Sequence, residues 1–152
     1  MKELHGDIIA YLKEGYFDLA IQGCNCFNTM SSGLAKHVRT YLPEAWEADQ
    51  KTKIGDINKL GNYTFANVKI NGTNQSCIFV NIYSQYTFNA ASKPIDYEAL
   101  TLALRKLNHN FPGKTIGVPK IGAGLAGGSW NKIKAIIETE LKDMKIIFVY
   151  LD

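Results

Sequence analysis

Hydrophobic positions fall into short alternating runs and helical stripes that predict secondary structure along the whole chain. Residues 63–70 alternate and predict a strand, Asn71-Gly72 is a strong hairpin signal, and residues 76–83 return as the partner strand. Apolar residues at helical spacing predict two helices, one from about Asp96 and one after the glycine-rich stretch. Their apolar faces are Leu100, Ala103, Leu104 and Leu107, and Ile133, Ile136, Ile137 and Leu141.

Shorter segments complete the pattern. We expect a short strand within residues 1–10 whose turn lets Asp7 cap a helical turn. The other predicted elements are a strand over 17–22, a helix over 33–41, a helical segment from Pro43, and strands over 115–118 and 145–150. The order strand, helix, hairpin, helix, strand, helix, strand predicts one α/β domain over residues 1–152, with a mixed sheet.

Two loops stand out because each follows an apolar strand and precedes a helix. Residues 23–33 are small and polar, and residues 119–129 contain four glycines within seven positions. Ligands in open α/β sheets bind beyond the carboxyl ends of strands, so both loops are expected to line one cleft. Glycine amides before a helix suit a phosphate or pyrophosphate, but a glycine-rich turn kept for packing fits equally well. No Gly-Lys-Ser/Thr follows, which excludes a P-loop.

Composition narrows the function classes further. Hydrophobic residues make up 46% and charged residues 20% of the chain, an ordinary globular balance. The net charge of +3 comes from scattered lysines, so we expect no nucleic-acid partner. Cys24, Cys26 and Cys77 form neither a disulfide framework nor a zinc spacing, so we expect no metal or cofactor. Since the sequence shows no signal peptide or membrane span, we expect a cytoplasmic protein. We also expect a monomer.

Three motifs in this order resemble the macrodomain family. They are Gly6-Asp7-Ile8, an Asn-bearing loop ending in Ser32-Gly33-Leu34-Ala35, and Pro119-Lys120-Ile121-Gly122-Ala123-Gly124-Leu125 before an amphipathic helix. The resemblance covers essentially the whole chain and is greatest to the compact stand-alone branch, which includes bacteriophage versions. It implies a three-layer α/β/α sandwich that binds ADP-ribose or a derivative. An ADP-ribosylated protein is an implied alternative partner.

The resemblance also implies site residues. Asp7, as a buried carboxylate, would accept a hydrogen bond from the adenine amino group. The Ile8 backbone would lie nearby, and Tyr150 would contact the adenine ring. Asn25 would face the distal ribose. Residues Ser31, Ser32, Gly33 and Leu34 would wrap the distal ribose and diphosphate, and Gly122, Ala123, Gly124, Leu125, Ala126 and Gly127 would hold the diphosphate from the other side. The competing interpretations are a plain helix cap for Asp7 and local backbone bonding for Asn25.

Departures from the family direct the activity hypothesis. Glycohydrolase relatives use a lysine before the long helix and an aspartate in the glycine loop, where this chain has Gln85 and Ala126. We therefore expect slow hydrolysis of ADP-ribose-1''-phosphate, with Asn25 as the catalytic candidate and Asn28, Ser31 and Ser32 helping to orient substrate and water. The alternatives are a non-catalytic ADP-ribose reader and an ADP-ribosyl hydrolase that uses other residues. The sequence shows no evident general base.

Overall fold

A six-stranded sheet with helices on both faces forms the body of the computed structural model, which describes residues 2–88, 95–123 and 127–151. The strands are β1 (Lys2–His5), β2 (Leu19–Cys24), β3 (Tyr63–Lys69), β4 (Ser76–Tyr83), β5 (Thr115–Val118) and β6 (Lys145–Tyr150). The helices are α1 (Ile8–Lys13), α2 (Gly33–Tyr41), α3 (Pro43–Gln50), α4 (Tyr97–Asn110) and α5 (Trp130–Glu140), with a 3₁₀ turn at Ile57–Lys59.

The sheet is mixed, as the sequence predicts. Its strand order is β1-β6-β5-β2-β4-β3. All neighbouring strands run parallel except β3 and β4, which form the antiparallel hairpin predicted from Asn71-Gly72. Parallel strands end at the same edge of a sheet, so the loops that follow β1, β2, β4 and β5 gather at one edge, together with the carboxyl end of β6.

Alternation along β2 shows how the three layers are built. Leu19 and Ile21 pack into the core shared with α4 and α5, whereas Ala20 and Cys24 pack into the core shared with α1, α2 and α3. Side chains of a strand point alternately to its two faces, so the nearly unbroken apolar run of β2 is covered on both sides. This three-layer α/β/α sandwich confirms the predicted fold class.

The first long strand starts later than its sequence suggests. Pairing begins at Leu19 instead of Phe17, and it continues to Cys24. Asp18 precedes the strand and accepts the Thr115 N–H with its carboxylate at 2.9 Å. Phe17 is buried before the start of β2, and a Cβ built on Gly117 would lie 2.8 Å from the Phe17 ring. Phe17 is therefore a core side chain beside β5, and its hydrophobicity does not mark a paired position.

Two further properties concern the described residues as a group. No helix within 2–88, 95–123 and 127–151 is both long enough and apolar enough to cross a bilayer. Within the same ranges, no three or more His, Cys, Asp and Glu side chains cluster so that they could hold a metal ion. The three cysteines are free thiols, and all of them are buried.

Candidate functional site

The carboxyl ends of β2 and β5 lie side by side, and we expect the ligand crevice between them. These strands are parallel neighbours, pairing Leu19 with Ile116 and Ala20 with Gly117. After β2 the chain continues to α2 on one face of the sheet, whereas after β5 it continues to α5 on the other face. Connections that leave adjacent strands toward opposite faces create a topological switch point, which is where α/β sheets bind ligands. The two loops singled out in the sequence border this point.

The first border of the crevice is the N-terminus of α2. Its cap residue Ser32 makes no side-chain hydrogen bond to the helix. Gly33 opens the helix at a φ of +57°, and a Cβ built there would meet no heavy atom within 4 Å. Ser31, Ser32 and Gly33 are exposed and Leu34 is half-buried. The first turn of α2 therefore lacks a side-chain cap, and the space beside Gly33 is open, which suits an anion.

The second border is the glycine loop, of which the structure describes Gly122, Ala123 and Gly127, while Gly124, Leu125 and Ala126 lie outside the described residues. Gly122 has a φ of +71°, and its carbonyl accepts the Gly128 N–H at 2.8 Å. A Cβ there would lie 2.8 Å from the Ile95 side chain. Gly122 thus meets a packing and turn requirement, and its contact with a diphosphate stays a prediction.

Asp7, Ile8 and Tyr150 come together where β1 and β6 end. His5 pairs with Tyr150, and the Gly6 N–H donates to the Tyr150 carbonyl at 2.8 Å. Ile8 is buried, while the Tyr150 ring is half-buried and stacks on Phe148 with ring centroids 6.3 Å apart. An aromatic ring and a carboxylate therefore lie together at the far end of the edge that contains the crevice.

Asp7 differs from its expected environment. The sequence analysis assigns it a buried carboxylate, but the structure exposes it at the first turn of α1, which follows the edge strand β1. One carboxylate oxygen caps α1 by accepting the Ile9 and Ala10 N–H groups at 2.9 and 3.3 Å. The second oxygen has no protein partner among the described residues. Asp7 is therefore a helix cap that keeps one oxygen available.

Asn25 uses both ends of its amide inside its own loop. Its Nδ2 donates to Thr29 Oγ1 at 2.7 Å, and its Oδ1 accepts the Phe27 N–H at 2.8 Å. Only 8% of the residue is exposed. This is the local turn bonding that competes with a ligand role, and it gives the loop a defined shape. A contact between Asn25 and the distal ribose stays a prediction.

Beneath this loop lies a buried polar cluster that sequence reasoning missed. It consists of Asn28, Asp49, Thr52, Lys59 and Tyr83. The Lys59 ammonium donates to Asn28 Oδ1 at 2.6 Å and to Thr52 Oγ1 at 2.9 Å. Asn28 Nδ2 donates to the Thr52 carbonyl at 2.8 Å, and the Tyr83 hydroxyl donates to Asp49 Oδ1 at 2.7 Å. The Asn28 side chain is therefore buried and hydrogen-bonded within the protein, and a role for it in orienting substrate stays a prediction.

The cluster places charges where water is excluded. Burial raises the pKa of the Asp49 carboxyl, and the Tyr83 hydrogen bond and the Lys59 ammonium partly oppose that rise. Burial likewise raises the pKa of the Tyr83 hydroxyl, and the nearby Asp49 carboxylate raises it further. The pKa of the neighbouring Cys24 thiol is raised well above its ordinary value, by burial first and by Asp49 second. Cys24 and Tyr83 are therefore protonated at neutral pH.

Position 85 is occupied by a neutral side chain that the protein itself uses. Gln85 Nε2 donates to the Thr87 carbonyl at 2.8 Å, and its backbone bridges to Ile95. No lysine stands there to form a covalent adduct. Ala126, the other departure noted in the sequence, lies outside the described residues. Two histidines have aromatic neighbours: the His37 ring stacks on Tyr41, and the His5 ring centroid lies 5.8 Å from that of Tyr150.

Comparison with known proteins places this geometry among macrodomains. No family model matches the chain. It is 36% identical to the uncharacterized 17.5 kDa protein in the tk-vs intergenic region of Enterobacteria phage T4, over 98% of this chain and 95% of that one. The macrodomain of Mycobacterium tuberculosis DarG superposes with a TM-score of 0.69 at 17% identity, covering 97% of this chain and 96% of that one.

A second solved structure includes a ligand. Thermosipho africanus DarTG in complex with ADP-ribose matches with a TM-score of 0.74 at 16% identity, covering all of this chain and 42% of that one. At these identities the structural matches establish the fold, whereas the match to the phage T4 protein establishes kinship. The chain therefore belongs to the family of the phage T4 17.5 kDa protein and has the macrodomain fold.

Proposed function

We propose that this protein binds ADP-ribose in the crevice between residues 23–33 and 119–129. The observation that carries the proposal is the α2 N-terminus, which stands without a side-chain cap beside open space at the switch point of the sheet. Such a terminus suits the diphosphate. Thermosipho africanus DarTG, part of which has this fold, was solved in complex with ADP-ribose, which supports the proposal.

The adenine would lie at the Asp7 end of the crevice. The second Asp7 oxygen would accept a hydrogen bond from an exocyclic amino group, and the half-buried Tyr150 ring offers an apolar surface for the base. A base with a carbonyl in place of the amino group would meet acceptor against acceptor. Asp7 would therefore select adenine over hypoxanthine.

The proposed activity is hydrolysis of ADP-ribose-1''-phosphate to ADP-ribose and phosphate. The exposed backbone at Ser31, Ser32 and Gly33 would bind the phosphoryl group through N–H donors. Asn25, at the start of the same loop, would orient the distal ribose. Gln85 provides no nucleophilic amine, which argues against the lysine-dependent removal of ADP-ribose from proteins.

A non-catalytic ADP-ribose reader is the second candidate function. The observation that favours it is the engagement of both ends of the Asn25 amide by Thr29 and Phe27. An amide held in this way shapes the loop, and it does not act as a general base. ADP-ribose attached to a protein would be the ligand in that case.

Binding is tested by calorimetry with ADP-ribose and its hypoxanthine analogue on the parent protein, Asp7→Asn and Asp7→Ala. Asparagine caps a helix as well as aspartate does, so Asp7→Asn keeps the cap while it removes the charge. We expect Asp7→Asn to keep the parent melting temperature, to bind ADP-ribose about tenfold or more weakly, and to lose the preference for adenine. If folded parent protein gives no heat with ADP-ribose, the proposal fails.

The activity is tested by phosphate release from ADP-ribose-1''-phosphate. The enzyme proposal expects phosphate release by the parent protein and, in Asn25→Ala, a loss of release that exceeds the loss of ADP-ribose affinity, because Asn25 also shapes the loop. If the parent protein binds ADP-ribose but releases no phosphate at any enzyme concentration, the activity proposal is wrong and the reader function stands.

A further inference from the structure

One residue of the ligand-facing loop has an unusual backbone conformation. Asn28 has a φ of +59°, and it is the one non-glycine residue with a positive φ within 2–88, 95–123 and 127–151. Asparagine tolerates the left-handed region better than most residues, but the conformation still needs support. The path of the chain between Asn25 and Gly33 depends on this bend.

The support comes from a distant part of the chain through the buried polar cluster. Lys59 and Thr52 donate to Asn28 Oδ1 at 2.6 and 3.3 Å. The Gln50 side chain donates to the Asn28 carbonyl at 2.9 Å. A hydrogen bond from an ammonium is stronger than one from a neutral donor, so the Lys59 contact is the firmest of these links.

The bend is connected to the ligand side of the loop by one residue. Thr29 follows Asn28 directly, and its Oγ1 and carbonyl accept from Asn25 Nδ2 at 2.7 and 3.4 Å. Met30 comes next and is buried at 1% exposure, after which the chain emerges at Ser31. A shift of Asn28 would therefore move both Asn25 and the start of α2.

The environment of Lys59 explains why its ammonium can be held inside. The residue is only 8% exposed, and an ammonium buried without partners would be strongly unfavourable. Asn28 and Thr52 accept its hydrogen bonds, the Asp49 carboxylate interacts with its charge, and the Tyr83 ring centroid lies 5.4 Å from Nζ. These contacts leave Lys59 one defined position beneath the loop.

We propose that Lys59 is a positioning residue for the distal half of the ligand site. It holds Asn28 in its left-handed conformation, and through Thr29 it sets the place of Asn25 and of the α2 N-terminus. The proposal rests on the proposed ADP-ribose binding. It distinguishes the two halves of the ligand, because Asp7 caps α1 and Tyr150 ends β6, whereas the hydrogen bonds of the cluster join Asn28, Asp49, Thr52, Lys59 and Tyr83.

The test compares affinities for ADP-ribose and AMP in Lys59→Met, Asn28→Gly and the double variant, with Lys106→Met as the control. Lys106 is an exposed lysine that also donates to an asparagine, Asn62, outside the cluster. We expect Lys59→Met to weaken ADP-ribose binding about tenfold or more while AMP binding changes less than about twofold. The double variant should bind ADP-ribose no more weakly than the weaker-binding of the two single variants, since both changes remove the same Lys59–Asn28 hydrogen bond.

Amide exchange gives a readout that does not depend on the ligand. In Lys59→Met we expect faster exchange at Cys26 and Phe27 than in the parent protein, with β2 amides unchanged. Equal losses of ADP-ribose and AMP affinity, or additive effects in the double variant, would overturn the proposal. If Lys59→Met does not fold, Asn28→Gly decides the question, because glycine adopts the bend but cannot accept from Lys59, and unchanged ADP-ribose affinity would refute the link.

If the parent protein binds neither nucleotide, the proposed function fails. The positioning of the loop is then still decided by the exchange at Cys26 and Phe27.

Discussion

Replacing Gly33 by alanine should separate ligand binding from stability at the α2 N-terminus. The chain offers a matched control in Gly72, which turns the β3–β4 hairpin at the opposite edge of the sheet. Both glycines have positive φ, +57° and +71°, and neither has a heavy atom within 4 Å of a built Cβ. Alanine therefore adds only backbone strain at both positions, without a clash inside the protein.

The expected cost in stability is similar for the two variants. A left-handed conformation costs an L-residue about 1–2 kcal/mol. Loss of glycine entropy in the unfolded chain returns about 0.4–1 kcal/mol of that. Each variant should thus lose roughly 1 kcal/mol of unfolding free energy, which urea titration measures directly.

The effect on binding should differ. In Gly33→Ala the new methyl group occupies the open space beside the first-turn N–H groups, where the proposed ligand approaches. We expect ADP-ribose affinity to fall about tenfold or more in Gly33→Ala, which is about 1.4 kcal/mol, and to stay unchanged in Gly72→Ala. If parent protein and Gly33→Ala bind ADP-ribose equally well by calorimetry, the α2 N-terminus is not part of the site.

Two other predictions concern the buried ionisable groups. Because burial raises the folded-state pKa of Asp49, the native state binds a proton at higher pH than the unfolded state does, and unfolding free energy falls as pH rises through that range. In urea titrations, the unfolding free energy of the parent protein should therefore rise relative to that of Asp49→Asn as pH falls from about 7 toward about 4. If it falls relative to that of the variant, the partners of Asp49 lower its pKa instead. The thiols of Cys24, Cys26 and Cys77 are buried with raised pKa values, so a disulfide reagent should label none rapidly in native protein and all three after denaturation. A thiol that reacted rapidly in the native protein would contradict the buried positions of the cysteines.

Local patterns predicted most of the fold because they depend on neighbours in sequence. The hairpin strands match β3 and β4 closely, and the stripe of Leu100, Ala103, Leu104 and Leu107 is buried against the sheet. The sequence pattern places Phe17 in a strand because hydrophobicity alone does not separate a paired residue from a core residue beside the start of a strand. The position of β2 between β4 and β5 depends on crossovers, which periodicity does not encode.

The candidate site was predictable only in part, for a related reason. Two loops that follow parallel strands had to meet at one edge, and they do. The direction of a polar side chain, however, depends on partners far away in sequence. Asn28 is bound by Asp49, Thr52 and Lys59, which are 21, 24 and 31 residues distant. Lys59 lies in a polar, turn-rich stretch typical of a solvated surface, so nothing local marks it as buried.

Together these features divide the work within one loop. Side chains that point inward, Asn28 above all, are saturated by the protein and hold the backbone in place. The groups left toward the crevice are backbone N–H donors at the start of α2, beside a glycine that keeps the space clear. A site built in this way recognises an anion through its main chain and needs few specific side chains at the surface. That arrangement explains why the polar side chains most conspicuous in the sequence of this loop turned out to shape it.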